Sequence, residues 1–317
     1  MTFKIIGTGS YVPPLVVTND DLSKYIDTSH EWIVQRVGVK KRHICTTETA
    51  ADLAYEAAKR ALENGNTRVE ELDMIICATV SGEDVSPSIS CMVQEKLGAT
   101  CPAMDINAAC SAFIYMLDTA AGYFARKKAK KALIIGAERM SRIMDWSDRS
   151  TCVIFGDGAG AMVLSEGDNY IASKLYTKGG DEVIKIPNFI GCSPFYKNEQ
   201  QKPYIHMKGQ ETFKFAVNAM CKDITDVVAE AGLSFEEIDH VIPHQANIRI
   251  IDSAKKRLAI PEERFHSNIE SYGNTSAASI PLLIDELNRA GAIKKGDILV
   301  LAAFGGGLSS GACILKW

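Results

Sequence analysis

Two stretches of the chain carry apolar residues at spacings of three and four: Leu53, Ala54, Ala57, Ala58, Ala61 and Leu62 in one, Phe213, Val217, Met220, Ile224, Val227 and Ala231 in the other. That period predicts two amphipathic helices, each with one buried face. Gly65 and Gly232 follow the last periodic residues, where a helix commonly turns off through a left-handed cap. Short unbroken apolar runs, Met74 to Cys77, Ala132 to Ile135 and Ile298 to Leu301, alternate with the helical stretches. Continuous rather than alternating apolarity predicts strands covered on both faces. Ser111 to Leu117 is apolar nearly all round, which predicts a buried helix. Thr177 to Pro203 is largely polar and rich in turn residues, and reads as surface loop or connector.

The pattern is written twice. Glu70-Glu71-Leu72-Asp73-Met74-Ile75-Ile76 matches Glu236-Glu237-Ile238-Asp239-His240-Val241-Ile242 at an offset of 166, and Ala132 to Ile135 matches Ile298 to Leu301 at the same offset. A duplicated α/β unit would give two similar sheets with helices between and outside them. The expected class is therefore α/β, with halves 1–170 and 171–317 packed face to face about a pseudo-twofold axis. Function is expected where the halves meet.

The 317 residues are 46% apolar and 23% charged, enough for a sizeable core and inconsistent with a disordered or collagen-like chain. A formal net charge of −4 gives no general attraction to nucleic acid or anionic membrane. Nine cysteines, an odd number without a CxxC pair, suggest neither a disulfide framework nor a zinc ribbon; free thiols in a reducing compartment fit instead. The sequence has no signal-like apolar start and no 18-residue apolar run, so the cytoplasm is the expected location.

At the 166-residue offset Cys110 falls on Ser276, and both segments look like helix openings. A cysteine at a buried helix N-terminus meets free N–H groups and partial positive charge, which favour thiolate; the other reading is a small residue packing a tight helix start. His244 follows the strand Val241-Ile242-Pro243, and its counterpart is Ala78, so the duplication is broken there. It is either a satisfied structural histidine or part of a site at a strand end. Asn274 reads as a helix cap or as a donor converging with the other two. Phe155 to Gly160 and Phe304 to Gly307 match neither a dinucleotide fingerprint nor a P-loop, and read as turns where backbone closely approaches a substrate or the opposite half.

Ala108-Ala109-Cys110-Ser111-Ala112-Phe113, Val241-Ile242-Pro243-His244-Gln245-Ala246-Asn247, Gly273-Asn274-Thr275-Ser276-Ala277-Ala278 and Ala303-Phe304-Gly305-Gly306-Gly307 resemble, in order and spacing, the motifs of the β-ketoacyl-[acyl-carrier-protein] synthase III family. The opening Lys4 to Tyr11, Glu31 to Arg36 and Phe155 to Gly160 extend the resemblance over essentially the whole chain. Ala112, where the family usually has glycine, and Val37, where threonine is common, depart from it.

The resemblance implies a thiolase-like fold, αβαβα with duplicated halves, and a ping-pong decarboxylative Claisen condensation. Cys110 would take the acyl group of an acyl-CoA, with His244 and Asn274 polarising the thioester carbonyl of malonyl-acyl carrier protein and holding its enolate. Phe304, Gly305 and Gly306 would form the gate and oxyanion turn. Trp32, Arg36, Arg149, Gly209, Phe213 and Asn247 would contact CoA. Gln245, Ala246, Asn247, Ile248 and Arg249, with Lys214 and Lys256, would meet the acidic carrier protein. The resemblance also implies a homodimer, with Asp84 to Pro87 reaching across its interface, and neither metal nor cofactor. A related condensing enzyme of secondary metabolism, using another donor or extender, and a silent acyl-CoA or carrier-binding scaffold are the competing readings. An intact Cys110, His244 and Asn274 set opposes the scaffold.

Overall fold

The computed structural model describes residues 2–188, 193–195 and 201–317. The chain opens with β1 (Thr2–Tyr11), then a ribbon of β2 (Val16–Thr18) and β3 (Lys41–His43) with α1 (Asn19–Leu22) and α2 (His30–Val37) between its strands. The first repeat continues through α3 (Ala50–Asn64), β4 (Met74–Ala78), α4 (Ile89–Leu97), β5 (Ala103–Ile106), α5 (Ala112–Ala125), β6 (Lys131–Glu138) and β7 (Gly158–Gly167). The second comprises β8 (Tyr170–Thr177), the short pair β9 (Ile184–Lys185) and β10 (His206–Met207), α6 (Gly209–Glu230), β11 (His240–Pro243), α7 (Ile248–Leu258), α8 (Ile269–Tyr272), α9 (Ser279–Arg289), β12 (Ile298–Gly305) and β13 (Ser309–Lys316).

The first sheet has the order β1-β7-β6-β4-β5 and the second β8-β13-β12-β11. In each, two antiparallel pairs lead into a parallel one, β6 with β4 and β12 with β11. The fifth strand of the first sheet survives in the second as a single parallel bridge, Val241 to Phe265.

The strand registers correct the expected repeat. Met74 pairs with Ala132, whereas His240 pairs with Leu299. The 166-residue offset therefore holds for β4 and β11 but has become 167 by β6. Sidedness explains why: Ala132, Ile134, Leu299 and Leu301 share the central core, while Leu133 and Val300 face outward. Matching Ala132 to Ile298 would turn the strand over, because successive side chains point to opposite faces.

α5 and α9 lie in the central apolar layer between the sheets; α3 and α4 cover the first sheet and α6 and α7 the second. In α5, Phe113, Ile114, Met116 and Leu117 are wholly buried, each worth roughly 1.5–3 kcal/mol of apolar burial. α3 starts at a capping box in which Thr49 accepts from Asp52 N–H at 3.1 Å and Asp52 accepts from Thr49 N–H at 2.9 Å. Gly65 is not left-handed, its φ being −81°. It is small because α3 ends on β1: a Cβ there would sit 3.2 Å from Gly7 Cα. Gly232 does take a left-handed φ of 67°.

The segment expected to be loop from Thr177 to Pro203 contains β9, which pairs with β10 just beyond it. Residues 189–192 and 196–200, including Cys192, lie outside the described residues.

Candidate active site

After β5 the chain turns at Asn107, whose Oδ1 accepts the Ala109 N–H at 3.2 Å. Ala109 is left-handed at φ 48°, and a 3₁₀ turn, Ala109–Ser111, leads into α5. Cys110 sits half-buried in that turn. Ser111 fastens it, donating to Ala108 O at 2.7 Å and sharing a hydrogen with Ser309 Oγ at 2.8 Å. The helix-start expectation of a lowered thiol pKa is not met. Burial, reinforced by the charge of Glu138, pushes the Cys110 thiol up to about 12; removing water costs the thiolate more than the partial charge of a helix end returns.

His244 leaves the end of β11 with its N–H on Ala302 O at 2.8 Å. Its Nδ1 lies 2.7 Å from Ser279 Oγ at the first turn of α9, which also accepts the Gln245 N–H at 3.3 Å. Nε2 is a buried atom without a hydrogen-bond partner among the described residues; in the tautomer in which Ser279 donates to Nδ1, it carries the ring proton. Burial lowers the imidazole to about 3, so it is a neutral donor rather than half of an ion pair. The Phe304 ring meets it edge-on at 5.4 Å.

Asn274 is buried. Its backbone is clamped by N–H to Ile154 O at 2.9 Å and by Gly156 N–H on its own carbonyl at 3.1 Å. Its Oδ1 accepts the Ser276 N–H at 2.8 Å, so Nδ2 is the remaining donor of the amide. Ser276 is left-handed at φ 49° and opens the 3₁₀ turn Ser276–Ala278 before α9. The structure thus pairs Asn107 with Asn274 and Ala109 with Ser276, so the counterpart of Cys110 is Ala277, one residue beyond the sequence match.

Close approach explains the glycines. A Cβ on Gly305 would sit 2.7 Å from Cys110 N, which places the end of β12 on the thiol turn, and Gly306 lies over Ala109. Gly156 is pressed by the Tyr272 carbonyl and Gly160 by Pro281 and Leu282 of the opposite half. The 3₁₀ turn bearing Cys110 packs against both β12 and the turn after Asn274.

Of the expected CoA contacts, Arg149 stacks on Trp32, its guanidinium carbon 5.1 Å from the ring, and donates to Asp27 O at 2.8 Å. The Arg36 carbonyl accepts Asn247 Nδ2 at 3.1 Å, joining α2 to the N-cap of α7. Gly209 begins α6 at the surface. Phe213, one turn on, lies under Arg249 at 5.7 Å. Arg249, Lys214 and Lys256 are exposed on neighbouring helices, and Ile248 is partly buried against α2. Gln245 and Ala246 correct the expectation of carrier contact. Gln245 is 1% exposed, with Nε2 on Pro243 O at 2.7 Å and Oε1 accepting from Ser267 Oγ at 2.8 Å and Asn268 N–H at 3.1 Å; Ala246 is buried too. Both fasten the His244 loop, Ala246 through its N–H on His244 O at 3.0 Å.

Ser279, Ser276 and Glu138 are the neighbours that motif reading passed over. The accessible signal was spacing: Ser279 lies five residues beyond Asn274, and Glu138 closes an apolar strand with a charge. Among the described residues, no group of three or more His, Cys, Asp or Glu could hold a metal ion, and no helix is long and apolar enough to cross a membrane.

Two duplicated α/β halves closed over one thiol define a thiolase-fold condensing acyltransferase. Family models for 3-oxoacyl-[acyl-carrier-protein] synthase III match residues 104–179 and, for its C-terminal part, 228–317. The β-ketoacyl-[acyl-carrier-protein] synthase III of Clostridium acetobutylicum is 47% identical over 319 residues, 99% of this chain and 98% of that one. The crystal structure of the Aquifex aeolicus enzyme, 46% identical, covers 99% of this chain and 100% of that one with a TM-score of 0.94. A priming β-ketosynthase from the R1128 polyketide pathway is 31% identical, with 99% and 96% covered and a TM-score of 0.93. The chain belongs to the 3-oxoacyl-[acyl-carrier-protein] synthase III family, the condensing enzymes that initiate fatty-acid synthesis.

Proposed function

We propose that Cys110 accepts the acyl group of a short or branched acyl-CoA and that this acyl-enzyme condenses with malonyl-acyl carrier protein, giving 3-oxoacyl-acyl carrier protein, CoA and CO₂. The observation that carries this reading is the meeting of three turns. The thiol turn of the first half packs on the Asn274 turn and on the end of β12, beside which stands His244 with an unpartnered Nε2. One nucleophile and two neutral donors, drawn from opposite halves, suit an acyl thioester followed by an enolate. The N–H groups of Cys110 and of the Gly305 to Gly306 turn hold the tetrahedral oxyanion. Loss of CO₂ leaves negative charge on the thioester oxygen, and Nε2–H and Asn274 Nδ2 stabilise it without taking up a proton.

The stacked Trp32 and Arg149 receive the adenine end of CoA, with Arg36, Gly209, Phe213 and Asn247 along the entrance. Arg249, Lys214 and Lys256 form the basic face for the acidic carrier. The protein works in the cytoplasm as a homodimer without metal or cofactor. Val85, 82% exposed beside Ser86, supports Asp84 to Pro87 as the segment that crosses to the partner. Residues 1–170 and 171–317 are its two halves to within a residue or two, β7 ending at Gly167 and β8 of the second repeat starting at Tyr170.

The test is intact-protein mass after mixing wild type and Cys110→Ser with acetyl-, isobutyryl- and longer acyl-CoA. An acyl mass increment on wild type alone, discharged by malonyl-acyl carrier protein as 3-oxoacyl product, is the expected result. No increment with any CoA would overturn the reading.

A further inference from the structure

Two donors hold one enolate oxygen only while they keep a fixed separation, and His244 and Asn274 stand on different loops. His244 follows β11, whereas Asn274 lies in the turn before α9. The segment 266–273, with the short helix α8 at its centre, joins the two. One end is bound to the His244 loop: Gln245 Oε1 accepts from Ser267 Oγ at 2.8 Å and from the Asn268 N–H at 3.1 Å, while Gln245 Nε2 returns to Pro243 O at 2.7 Å. The other end runs into Asn274 through Gly273, whose N–H closes α8 on Ile269 O at 2.9 Å.

A single carboxylate takes both ends of that segment. Glu286 Oε2 accepts from Asn268 Nδ2 and Glu286 Oε1 from Tyr272 OH, so one side chain spans α8 from the residue before it to its last. Glu286 lies two turns beyond Ser279 on α9, and residues at that spacing share a helix face. That face therefore reaches the His244 loop twice, directly where Ser279 Oγ lies 2.7 Å from His244 Nδ1 and again through Asn268 and Gln245. The helix is a firm support: Ile280, Leu283 and Ile284 are in the central core, and Asp285 accepts from Thr8 Oγ1 at 2.7 Å and Ser10 Oγ at 2.6 Å on β1. Tyr272 is held on its ring as well, stacked on His43 at 5.6 Å with the planes 24° apart.

We propose that Glu286 sets the separation of the two enolate donors, with α8 as the spacer and Asn268 and Tyr272 as its two arms. Losing the Tyr272 arm frees the backbone that leads into Asn274. Losing the Asn268 arm frees the segment on which Gln245, and so the His244 loop, rests. Glu286 bonds to neither donor and is a positioning residue. Cys110 is carried by the first half, so the effect falls on condensation and spares acyl loading. The inference rests on the reading of His244 and Asn274 as enolate donors given above.

The test measures the half-reactions apart, acyl loading by rapid-quench intact mass and condensation of fully loaded enzyme with malonyl-acyl carrier protein, for wild type, Glu286→Gln, Tyr272→Phe and Asn268→Ala. In Glu286→Gln the kcat of condensation should fall about tenfold, with loading and the KM for malonyl-acyl carrier protein within about twofold of wild type, because misplaced donors lose transition-state alignment and not substrate binding. Tyr272→Phe and Asn268→Ala should each slow condensation by about threefold, and adding either to Glu286→Gln should cost nothing more, since the bonds lost are to the same carboxylate. Condensation at the wild-type rate in Glu286→Gln, or an equal loss in both half-reactions, would overturn the proposal. If Glu286→Gln does not fold, Tyr272→Phe decides alone: it removes one hydroxyl and keeps the ring on His43, and condensation at the wild-type rate would overturn the proposal. Wild type that fails to load, or loads and fails to condense, would instead overturn the acyl-transfer reading, and this inference with it.

Discussion

The two turns that begin α5 and α9 share a backbone and differ in chemistry. In each, an asparagine Oδ1 accepts the N–H two residues on, 3.2 Å at Asn107 and 2.8 Å at Asn274. In each, the next residue but one is left-handed, φ 48° at Ala109 and 49° at Ser276. The following side chain is a thiol in one half and the methyl of Ala277 in the other. The parallel strands diverge similarly: Ala78, the last residue of β4, is matched by His244, the first residue beyond β11. Duplication supplied a pair of similar supports, and the proposed mechanism places the nucleophile in one half and the donors in the other.

Making the halves alike again should break the enzyme in graded steps. Cys110→Ala turns the first turn into a copy of the second and should abolish acyl loading, a loss on the order of 10⁴-fold or more, with thermal stability close to wild type because alanine already occupies the equivalent place. Asn274→Ala and Asn107→Ala each remove one turn-closing bond and should each cost about 1 kcal/mol in denaturant unfolding. Only Asn274→Ala should also slow condensation, by about 10²-fold, because only that amide belongs to the proposed donor pair. Ser279→Ala, which frees Nδ1 of His244, should slow condensation by about tenfold while loading stays near wild type. A separate effect is on stability against acid. His244 ionises at about 3 when folded and near 6.5 when not, so the unfolded chain binds the extra proton below pH 6.5. Stability should therefore fall with falling pH through that window by roughly 1 kcal/mol per unit; in His244→Gln the slope should be shallower.

The repeat, the layered class and the three chemical residues were legible because each leaves a local mark: apolar period, a broken match at Ala78 and His244, a cysteine before a buried helix. The one-residue slip between β4 and β6 was not, since Ala132 to Ile135 and Ile298 to Leu301 are apolar throughout and align equally well in either register. Only sidedness resolves it, and sidedness is tertiary. Gln245 misled for a related reason: an amide beside a basic helix reads as surface until its partners, Pro243, Ser267 and Asn268, are seen around it. The raised thiol pKa of Cys110 was likewise hidden, because desolvation depends on what closes over the turn, here Gly305 and Ser276 from the far end of the chain.

The division of labour between the halves is tested most directly by His244→Ala in two separated assays, acyl loading by intact mass and condensation of the loaded enzyme with malonyl-acyl carrier protein. Loading within a few fold of wild type together with condensation slower by about 10²–10³-fold is the expected result. Equal loss in both assays would contradict the assignment of the nucleophile to one half and the enolate donors to the other.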